Sequence, residues 1–499
     1  MPDRKPVSTP TLNRISSEEL NPESFDASDV LVVGMQSEGG VPASLERVDP
    51  SAADWFPKLA EAQQVRAKRC ELTQLTCRPA ESSTAGPIMV LVVGLGDDSR
   101  SRSLAVESAA TAIRHLADRP RRRIHIALSE CFPETMHDAI VTGAMTGCEG
   151  QGIYQTDPSL RSPDQITFVG VSDSSLARGQ ILGESVNHTR RLVNEPPDAV
   201  YPQTFSEMAR ELVEQTDVAV DVWDEQRLRE EGCRAILAVG AGSSRPPRLL
   251  IMRYQGGGDE PPLALVGKGV TFDSGGLSLK PSEAMTDMKC DMAGAATVVG
   301  VMRAVAKLGL RQNVVGLCGL AENMVSGSSY KLGDVIQTRS GKTIEILNTD
   351  AEGRVVLADT LNVAIDQEPR AMVDLATLTG ACLVALGNEV AGMMTNHQET
   401  CDQISTSANT EGEPVWQLPM FELYDEKVKS KVADIKNIGE GRWAGAITAA
   451  KFLENFVGEV PWVHIDIAGP AFAESPKPYR DAGGTGYLVR SLVRWIESQ

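Results

Sequence analysis

Short apolar runs alternate with stretches of helical spacing along most of this chain, and this alternation limits the fold more than any other feature of the sequence. Strands that alternate with helices indicate α/β layers on a mostly parallel sheet. We therefore expect an α/β fold with two domains, each a mixed, mostly parallel sheet flanked by helices. In the first part of the chain, strand-length runs lie at 30–33, 88–93, 124–128 and 166–171, with helical spacing at 104–116.

Breaks in the alternation indicate the domain organisation. Residues 1–28 are polar and rich in Pro, Ser and Glu, which predicts a flexible N-terminal arm, either a mobile tail or a loosely docked segment. A helical pattern from Ser175 ends at the breaker Asn194–Pro197. We expect an N-terminal α/β domain at 29–174, a linker helix at 175–189 and a C-terminal α/β domain at 190–499. In the C-terminal domain, strands are expected at 249–252, 263–266, 313–317, 343–347 and 372–375, and helices at 284–308, 355–366 and 445–456.

The charge of the chain argues against a nucleic-acid partner. Lys and Arg number 48 and Asp and Glu number 67 among the 499 residues, so the formal net charge is −19. Such a surface repels phosphate backbones unless its basic residues are gathered in one place. The run Arg119–Arg123 could contact a polyanion, and a solvated turn or an interface is the alternative interpretation.

The sequence also bears on cellular location. No apolar run approaches the ~18 residues of a membrane span, and the first residues lack the apolar core of a secretory signal. The nine cysteines are scattered and form no C-x-x-C pair, which suits reduced thiols better than a disulfide framework. We therefore expect a cytoplasmic protein without a membrane partner.

Glycine and histidine patterns exclude several common kinds of site. The Gly-x-Gly pairs at Gly94 and Gly240 complete no G-x-G-x-x-G, and no G-x-x-x-x-G-K-[ST] occurs, so tight turns explain these glycines. The six histidines include no H-E-x-x-H. Any metal ion must therefore be held mainly by oxygen ligands.

Ionisable residues crowd two segments of the C-terminal domain. In the first, Lys268 and Asp273 follow the apolar run 263–266, at the carboxyl end of a predicted parallel strand, where open α/β sheets bind their ligands. In the second, Asp350, Glu352 and Arg354 are two residues apart. In an extended chain, that spacing points all three side chains the same way.

A third acidic piece opens the predicted helix 284–308. Asp287 and Asp291 are four residues apart, which places them on one helical face near an N-terminus that favours anions. Plainer interpretations exist: Asp287 and Asp291 as ordinary helix N-terminal residues, Asp350 as a turn residue, and Lys268 as a surface lysine. Taken together, carboxylates at 273, 291, 350 and 352 with two lysines and an arginine suit a two-metal hydrolase, whose cations hold a water as nucleophile.

Two segments resemble the signatures of the leucine aminopeptidases, the cytosol aminopeptidase family: VGKGVTFDSGGLSLKPS at 266–282 and NTDAEGRVVLADTL at 348–361. Segments 464–472 and 483–492 resemble the family's carboxyl-terminal segments, so the resemblance covers 190–499 and identifies this domain as catalytic. The family pattern is reproduced without a gap at Lys268, Asp273, Lys280, Asp291, Asp350, Glu352 and Arg354.

The resemblance implies two divalent metal ions per subunit, usually zinc, with manganese or magnesium able to occupy the looser position. Asp273 and Glu352 would bridge the metals, Lys268 and Asp291 would complete the exchangeable centre, and Asp350 would complete the tighter one. An amine ligates only when it is unprotonated. Beside two cations, the pKa of Lys268 is therefore expected far below its ordinary ~10.4.

The resemblance also implies the reaction, which is removal of the first residue from short peptides with a free N-terminus. The substrate's α-amine would bind one metal, and a water held between both metals would attack the scissile carbonyl. A charged Lys280 would stabilise the oxyanion as it forms. Arg354 would hold a bicarbonate ion that relays the proton to the leaving amine, so the catalytic residues are Lys280 and Arg354.

The substrate pocket and the assembly are implied in the same way. A pocket of this kind favours leucine and other apolar first residues, and broadly, because one methylene is worth only ~1–3 kcal/mol. The family is usually hexameric, so we expect a homohexamer. Met288 and Leu378 could instead be ordinary core residues. The residues implied for substrate binding are Lys280, Met288, Thr377, Leu378, Gly380 and Ala468.

Two other functions stay open on the sequence alone. A DNA-binding regulatory or architectural role on the same fold has the run 119–123 and the polar arm in its favour and the net charge against it. A dinuclear phosphatase or nuclease is also compatible with carboxylate-bridged metals. The lysine at the metal site and the missing histidine ligands make that second alternative the weaker fit.

Overall fold

The computed structural model describes residues 9–26, 28–79, 86–97 and 101–499. The chain forms two compact units, and the division between them lies between Asn187 and His188. The first unit also includes Ser475–Ala482, a segment that follows most of the second unit in the sequence. Among the described residues, no helix combines the length and the apolarity needed to cross a membrane.

The first unit is a mixed sheet with helices on its faces. Its described strands are β1 (Thr11–Ile15), β2 (Val30–Met35), β3 (Leu72–Cys77), β4 (Ile88–Gly94), β5 (Arg123–Ile126) and β6 (Gln165–Val169). Its described helices are α1 (Ala43–Val48), α2 (Ala52–Glu61), α3 (Arg102–Leu116), α4 (His137–Gly147) and α5 (Asp173–Asn194). The sheet order is β1-β6-β5-β2-β4-β3; β3 pairs antiparallel with β4, and the other neighbours pair in parallel.

Both faces of this sheet are buried at its inner strands, which is why β2 and β4 read as continuous apolar runs in the sequence. On β2, Val30 and Val32 belong to the core formed with α3 and α4. Leu31 and Val33, which point to the opposite face, belong to the core formed with α1 and α2. The alternation along one strand thus supplies two hydrophobic layers.

Part of the segment expected to be a flexible arm is instead the first strand. β1 pairs in parallel with β6, with Leu12 opposite Ile166, and Leu20 and Phe25 are buried. Of the two alternatives for the arm 1–28, residues 11–25 are therefore docked rather than mobile, because a few well-placed apolar side chains suffice to dock a polar segment. Residues 1–8 and 27 lie outside the described residues. The linker helix expected at 175–189 lies within α5, and the unit division falls inside that helix.

The second unit contains a larger mixed sheet and two small ones. Its described strands are β7 (Ala219–Trp223), β8 (Arg248–Gln255), β9 (Leu263–Asp273), β10 (Asn313–Asn323), β11 (Val335–Gln337), β12 (Thr343–Glu345), β13 (Ala371–Ala376), β14 (Ala391–Thr395), β15 (Val415–Gln417), β16 (Ile435–Lys436), β17 (Trp462–Asp466), β18 (Phe472–Ala473) and β19 (Gly483–Gly484). Its described helices are α6 (Pro202–Val213), α7 (Glu225–Glu230), α8 (Arg234–Gly240), α9 (Ser282–Met285), α10 (Ala293–Leu308), α11 (Gly353–Ile365), α12 (Gly380–Leu386), α13 (Gln398–Glu411), α14 (Gly445–Glu454) and α15 (Val489–Glu497).

The large sheet has the order β15-β14-β17-β13-β9-β10-β8-β7. Its centre is parallel, because β17, β13, β9 and β10 pair in parallel with one another in that order. Their carboxyl ends therefore meet at one edge of the sheet, where ligands bind in open α/β folds. The expected fold class, mixed and mostly parallel sheets flanked by helices, is confirmed.

Two predicted elements differ from the structure. The helix expected over 284–308 is interrupted: α9 ends at Met285, a 3-10 turn covers Met288–Cys290, and α10 begins only at Ala293. The strand expected at 343–347 belongs to the small sheet β11-β12-β16 rather than to the large one. Both differences lie next to the candidate site, where polar side chains have partners that local periodicity does not reveal.

Candidate metal centre

Three carboxylates converge at the carboxyl edge of the central sheet. Asp273 is the last residue of β9, Glu352 caps the start of α11, and Asp350 lies in the turn before it. One oxygen of each lies within 4.8 Å of the others. Such a group of oxygens is a suitable cage for a divalent cation.

Lys268 joins a fourth carboxylate to this group. Its Nζ lies 2.7 Å from Asp291 Oδ1 and 2.9 Å from Glu352 Oε1, and it donates to the carbonyl of Thr377 at 2.9 Å. Burial alone would lower the pKa of Lys268, but the charges of Asp291 and Glu352 raise it above its ordinary value. Beside two cations, the pKa of Lys268 is expected to shift in the opposite direction, and that expectation stays a prediction.

Lys280 contacts the other side of the cluster. Its Nζ lies 2.7 Å from Asp273 Oδ2 and also pairs with the Asp350 carboxylate. Burial opposes the charged form, but Asp273 and Glu352 outweigh it and raise the pKa of Lys280. This lysine therefore keeps its proton, as a donor to a developing negative charge must.

The four carboxylates lie too close together for two lysines to neutralise them. Burial and the charge of Glu352 raise the pKa of Asp273 to about 6, and burial raises the pKa of Asp291 well above its ordinary value. Burial also opposes ionisation of Glu352, but Lys268 and Lys280 lower its pKa. Additional positive charge would allow all the carboxylates to ionise.

Two buried oxygens also indicate a cation site. Asp291 Oδ2 and Glu352 Oε2 have no hydrogen-bond partner among the residues that the structure describes. A buried carboxylate oxygen without a donor is costly, so such atoms are normally satisfied by a ligand, a water or an ion. The donor set of carboxylates and one amine therefore fits a divalent metal.

A register shift brings Lys268 and Asp273 to the same cluster. They are five residues apart, which would place them on opposite faces of a regular strand. Between β10 and β9, Ala321 pairs with Val270 but Glu322 pairs with Phe272, so Thr271 is an extra residue on β9. This bulge reverses the alternation, and bulges of this kind often redirect side chains next to active sites.

The local conformations differ from the predicted ones. Asp350 lies in a turn and Glu352 has helical dihedral angles, so the expectation of an extended 350–354 segment is wrong. Asp287 and Asp291 flank the 3-10 turn rather than sharing a helical face. Lys268 and Asp273 lie within β9 rather than beyond it.

Gly353 is required by close packing at this site. A Cβ at position 353 would lie 2.4 Å from Lys268 Cε and 2.6 Å from Lys268 Nζ. Any side chain there would displace the lysine. The glycine in the N-T-D-A-E-G-R segment thus makes room for the amine.

Arg354 follows in the first turn of α11 and is buried. It donates from one terminal nitrogen to the carbonyl of Asn437 at 2.9 Å, and its Nε has no partner among the described residues. Burial lowers the pKa of Arg354 to about 10. A buried guanidinium with spare donors is suited to hold a small anion.

The residues implied for the substrate pocket lie on neighbouring loops. Thr377 donates to Asp291 Oδ1 at 2.8 Å, and Gly380 opens α12, while Met288 opens the 3-10 turn. The backbone amides of Leu378 and Ala468 both donate to Asp466 Oδ1 at 3.1 Å. Asp466, at the end of β17, therefore ties these two loops together.

Sequence reasoning missed three polar residues that support the site. Asp466 is one; the others are Asn323, which donates to Asp273, and Tyr330, which donates to the carbonyl of Thr349. The signal for Asn323 was available, because it ends an apolar run at the carboxyl edge of the sheet, but the predicted strand 313–317 stops short of it.

Comparison with known proteins decides the family. A model of the cytosol aminopeptidase family, catalytic domain, matches residues 187–493. A "Probable cytosol aminopeptidase" of Rhodopirellula baltica is 58% identical over 501 residues, which cover 99% of this chain and 98% of the relative. The chain belongs to the cytosol aminopeptidase family.

Further similar proteins agree with this chain in sequence and structure. A "Probable cytosol aminopeptidase" of Roseiflexus castenholzii is 41% identical over 94% of this chain and 96% of its own. A solved structure, "Bottromycin maturation enzyme BotP in complex with Mn", has a TM-score of 0.83 and 33% identity, covering 95% of this chain and 99% of that chain. The family resemblance inferred from the signature segments is confirmed.

Membership also settles the class of reaction. The chain is a metal-dependent aminopeptidase, a hydrolase that acts on peptides, as the sequence analysis predicts. The comparisons give no support to the DNA-binding or phosphoesterase alternatives.

Proposed function

We propose that this chain releases single residues from the free N-terminus of short peptides, with two divalent metal ions per subunit in the cluster at the carboxyl edge of the large sheet. The proposed ligands are Lys268, Asp273, Asp291, Asp350 and Glu352. The observation that carries this proposal is the convergence of three carboxylates, one of which shares the buried Lys268 amine with the fourth, Asp291, while two carboxylate oxygens are left without partners among the described residues.

The chemistry of the ligands limits which metals are suitable. Carboxylate oxygens and an amine nitrogen suit Zn²⁺ and Mn²⁺, and Mg²⁺ is a further candidate where oxygen ligands dominate. The related BotP enzyme was solved in complex with Mn, which supports Mn²⁺ as one occupant. When bound, the two ions would polarise the scissile amide and provide a water activated for hydrolysis.

The side chains around the metals divide the remaining work. Lys268 must give up its proton to bind a metal, whereas Lys280 keeps its proton and donates it in a hydrogen bond to the carbonyl oxygen as charge develops there. Arg354 would hold a bicarbonate ion at its buried guanidinium, and that ion would relay the proton to the leaving amine. Lys280 and Arg354 are thus the proposed catalytic residues.

The pocket for the first side chain is assigned to Met288, Thr377, Leu378, Gly380 and Ala468, together with Lys280. Asp466 accepts from the backbone amides of Leu378 and Ala468 and so joins the two loops that carry them, which supports a fixed wall on this side of the pocket. Leucine and other apolar residues are the expected substrates, with a broad preference.

We further propose a cytoplasmic homohexamer whose catalytic domain is 190–499. All nine cysteines are free thiols, which supports a reducing compartment. Large apolar side chains are exposed within 416–443, including Trp443 at 82% and Phe421 at 60% exposure. Exposed apolar clusters of this kind favour contacts between subunits.

A metal-content assay combined with peptidase kinetics tests the proposed function. The purified chain should contain up to two divalent ions and cleave leucyl anilide, should lose both properties after treatment with a chelator, and should regain both with Zn²⁺ or Mn²⁺. N-acetylleucyl anilide serves as the control and should not be cleaved. Full activity in the chelated protein, or efficient cleavage of the acetylated substrate, would contradict the proposal.

A further inference from the structure

Asn323 holds the two segments that carry metal ligands. It ends β10 directly opposite Asp273, the end of β9, because the bulge shifts the register; without the shift it would lie opposite Phe272. Its side-chain Nδ2 donates to Asp273 Oδ1 at 2.8 Å and to the carbonyl of Thr349 at 3.0 Å. Thr349 immediately precedes Asp350, so one amide group touches both segments.

The orientation of this amide is fixed by its partners. Both N–H donors of Nδ2 point to acceptors, and the residue is 1% exposed. Thr349 O also accepts from the Tyr330 hydroxyl at 2.8 Å. A rotation of the amide would place its oxygen against two acceptors, so the side chain has one stable arrangement.

The same contacts occupy one oxygen of Asp273. Oδ1 accepts from Asn323 and from the backbone amide of Gly275 at 2.9 Å. A carboxylate oxygen has two lone pairs for such bonds, so Oδ1 has no capacity left. Oδ2, which faces Lys280 Nζ at 2.7 Å, is the oxygen that remains for a cation.

We propose that Asn323 is a positioning residue of the metal centre: its amide fixes the distance between the Asp273 and Asp350 segments and directs a single oxygen of Asp273, Oδ2, to the metals. This inference rests on the proposed function. Partners of this kind, which orient a ligand without binding the metal, typically change metal affinity by 10–100-fold when they are removed.

The opposite end of β10 offers a matched control. Asn313, its first residue, is also buried, and its Nδ2 donates to the carbonyls of Gly258 at 2.8 Å and Glu260 at 2.6 Å. It therefore makes the same number of Nδ2 bonds on the same strand, at the end of the strand away from the metal ligands. Asn313→Ala should lower thermal stability as Asn323→Ala does, without affecting metal binding.

The test is Mn²⁺ binding to the full chain after removal of metal with a chelator, measured by isothermal titration calorimetry. Asn323→Ala should raise the Kd by about 10–100-fold, while Asn313→Ala should keep the wild-type Kd. Asn323→Ser, which retains one shorter donor, should give an intermediate Kd and serves as the test if Asn323→Ala does not fold.

Three results would overturn the inference. The first is an Asn323→Ala variant that binds Mn²⁺ as tightly as the wild type. The second is an Asn313→Ala variant that loses as much Mn²⁺ affinity as Asn323→Ala, because the loss would then reflect general stability. A wild-type chain that takes up no Mn²⁺ would overturn the proposed function and this inference with it. Wild-type binding combined with an unaffected Asn323→Ala variant would overturn this inference alone.

Discussion

Two lysines at the candidate metal centre need opposite protonation states for their proposed roles. Lys268 is 2% exposed and has three acceptors, two of them carboxylates, so in the proposed centre a metal ion would have to displace its proton before the amine could ligate. Lys280 borders the same cluster from a less buried position and pairs with Asp273 and Asp350. An ammonium that stays charged there can stabilise an oxyanion, and a neutral one could not.

Replacing Lys280 tests this division of roles. Lys280→Ala should lower kcat for leucyl anilide by about 10²–10³-fold, as loss of one oxyanion donor does, while the metal content stays at the wild-type level. Steady-state kinetics with a metal assay on the same samples measures both. A loss confined to KM would show that Lys280 only binds substrate.

Lys451 provides the control for this variant. Like Lys280, it lies between two carboxylates, with Asp425 at 3.0 Å and Glu454 at 2.9 Å, but it is buried and belongs to α14. Lys451→Ala should reduce stability and leave kcat unchanged. Equal losses of kcat in both variants would indicate a general effect of removing a buried cation.

At the residue scale, the sequence predicts which side chains come together in the cluster, but it does not predict the backbone conformation that brings them together. The spacing and the signature segments select Lys268, Asp273, Asp350 and Glu352, and the structure places these residues in contact. The bulge at Thr271 could not be predicted, because it depends on pairing with a strand about 50 residues away in sequence. The spacing of residues in the sequence describes regular strands and helices, whereas the proposed metal ligands are brought together by irregularities such as the bulge in β9.

At the scale of elements, periodicity finds strands that are buried on both faces and helices that have one polar side. It predicts β2, β4 and α3 nearly to their ends. It misses α4, which is buried almost all round and shows no polar stripe. Gly143 of α4 packs so closely that an added Cβ would lie 2.2 Å from the carbonyl of Val106 in α3.

Strand β5 contributes a histidine that makes the first unit sensitive to acid. His125 is 2% exposed, stacks on Phe25 at 4.4 Å, and neither ring nitrogen has a hydrogen-bond partner among the described residues. Burial, helped by Arg123, lowers the pKa of His125 to about 4. The folded chain thus excludes a proton that the unfolded chain binds below its ordinary pKa of about 6.5.

The sign of the effect follows from that difference. As the pH falls from 6.5 towards 4, the unfolded state gains a proton that the folded state does not, so stability decreases. At pH 5 the loss from His125 is about 2 kcal/mol. His125→Phe, which can keep the stacking on Phe25, should therefore lose less stability than the wild type between pH 7 and pH 5.

Thermal unfolding at the two pH values measures this prediction. The difference in midpoint between pH 7 and pH 5 should shrink in His125→Phe. His115→Phe, at an exposed position of α3, should keep the wild-type difference. An unchanged acid sensitivity in His125→Phe would mean that buried carboxylates alone account for it.

At the scale of the whole molecule, the net charge favours solubility, whereas the exposed apolar surface favours contacts between subunits. The net charge of −19 favours solubility of the chain. The segment 416–443 nevertheless exposes Trp416 at 64%, Phe421 at 60% and Val432 at 67%. A monomer rarely leaves several large apolar side chains in water within one segment, so this part of the surface is the expected site of subunit contacts.

Sedimentation velocity tests the assembly. The chain should sediment as a particle of six times its 53.6 kDa mass. Phe421→Glu combined with Trp443→Glu should reduce that mass, because two charges would be buried at an apolar interface. Lys58→Glu, on the exposed side of α2, changes surface charge without touching 416–443 and should stay hexameric.

The first unit is completed by Ser475–Ala482, which lies near the carboxyl terminus. Asp481, in this stretch, pairs with Arg114 of α3, and its other carboxylate oxygen accepts from the backbone amide of Gln151 at 3.1 Å. A ribosome makes these residues long after the rest of the first unit, with most of the second unit in between. During synthesis, the first unit therefore lacks the ion pair between Arg114 and Asp481 until Asp481 has emerged, and a gene fragment that stops at residue 187 would encode a unit without that ion pair.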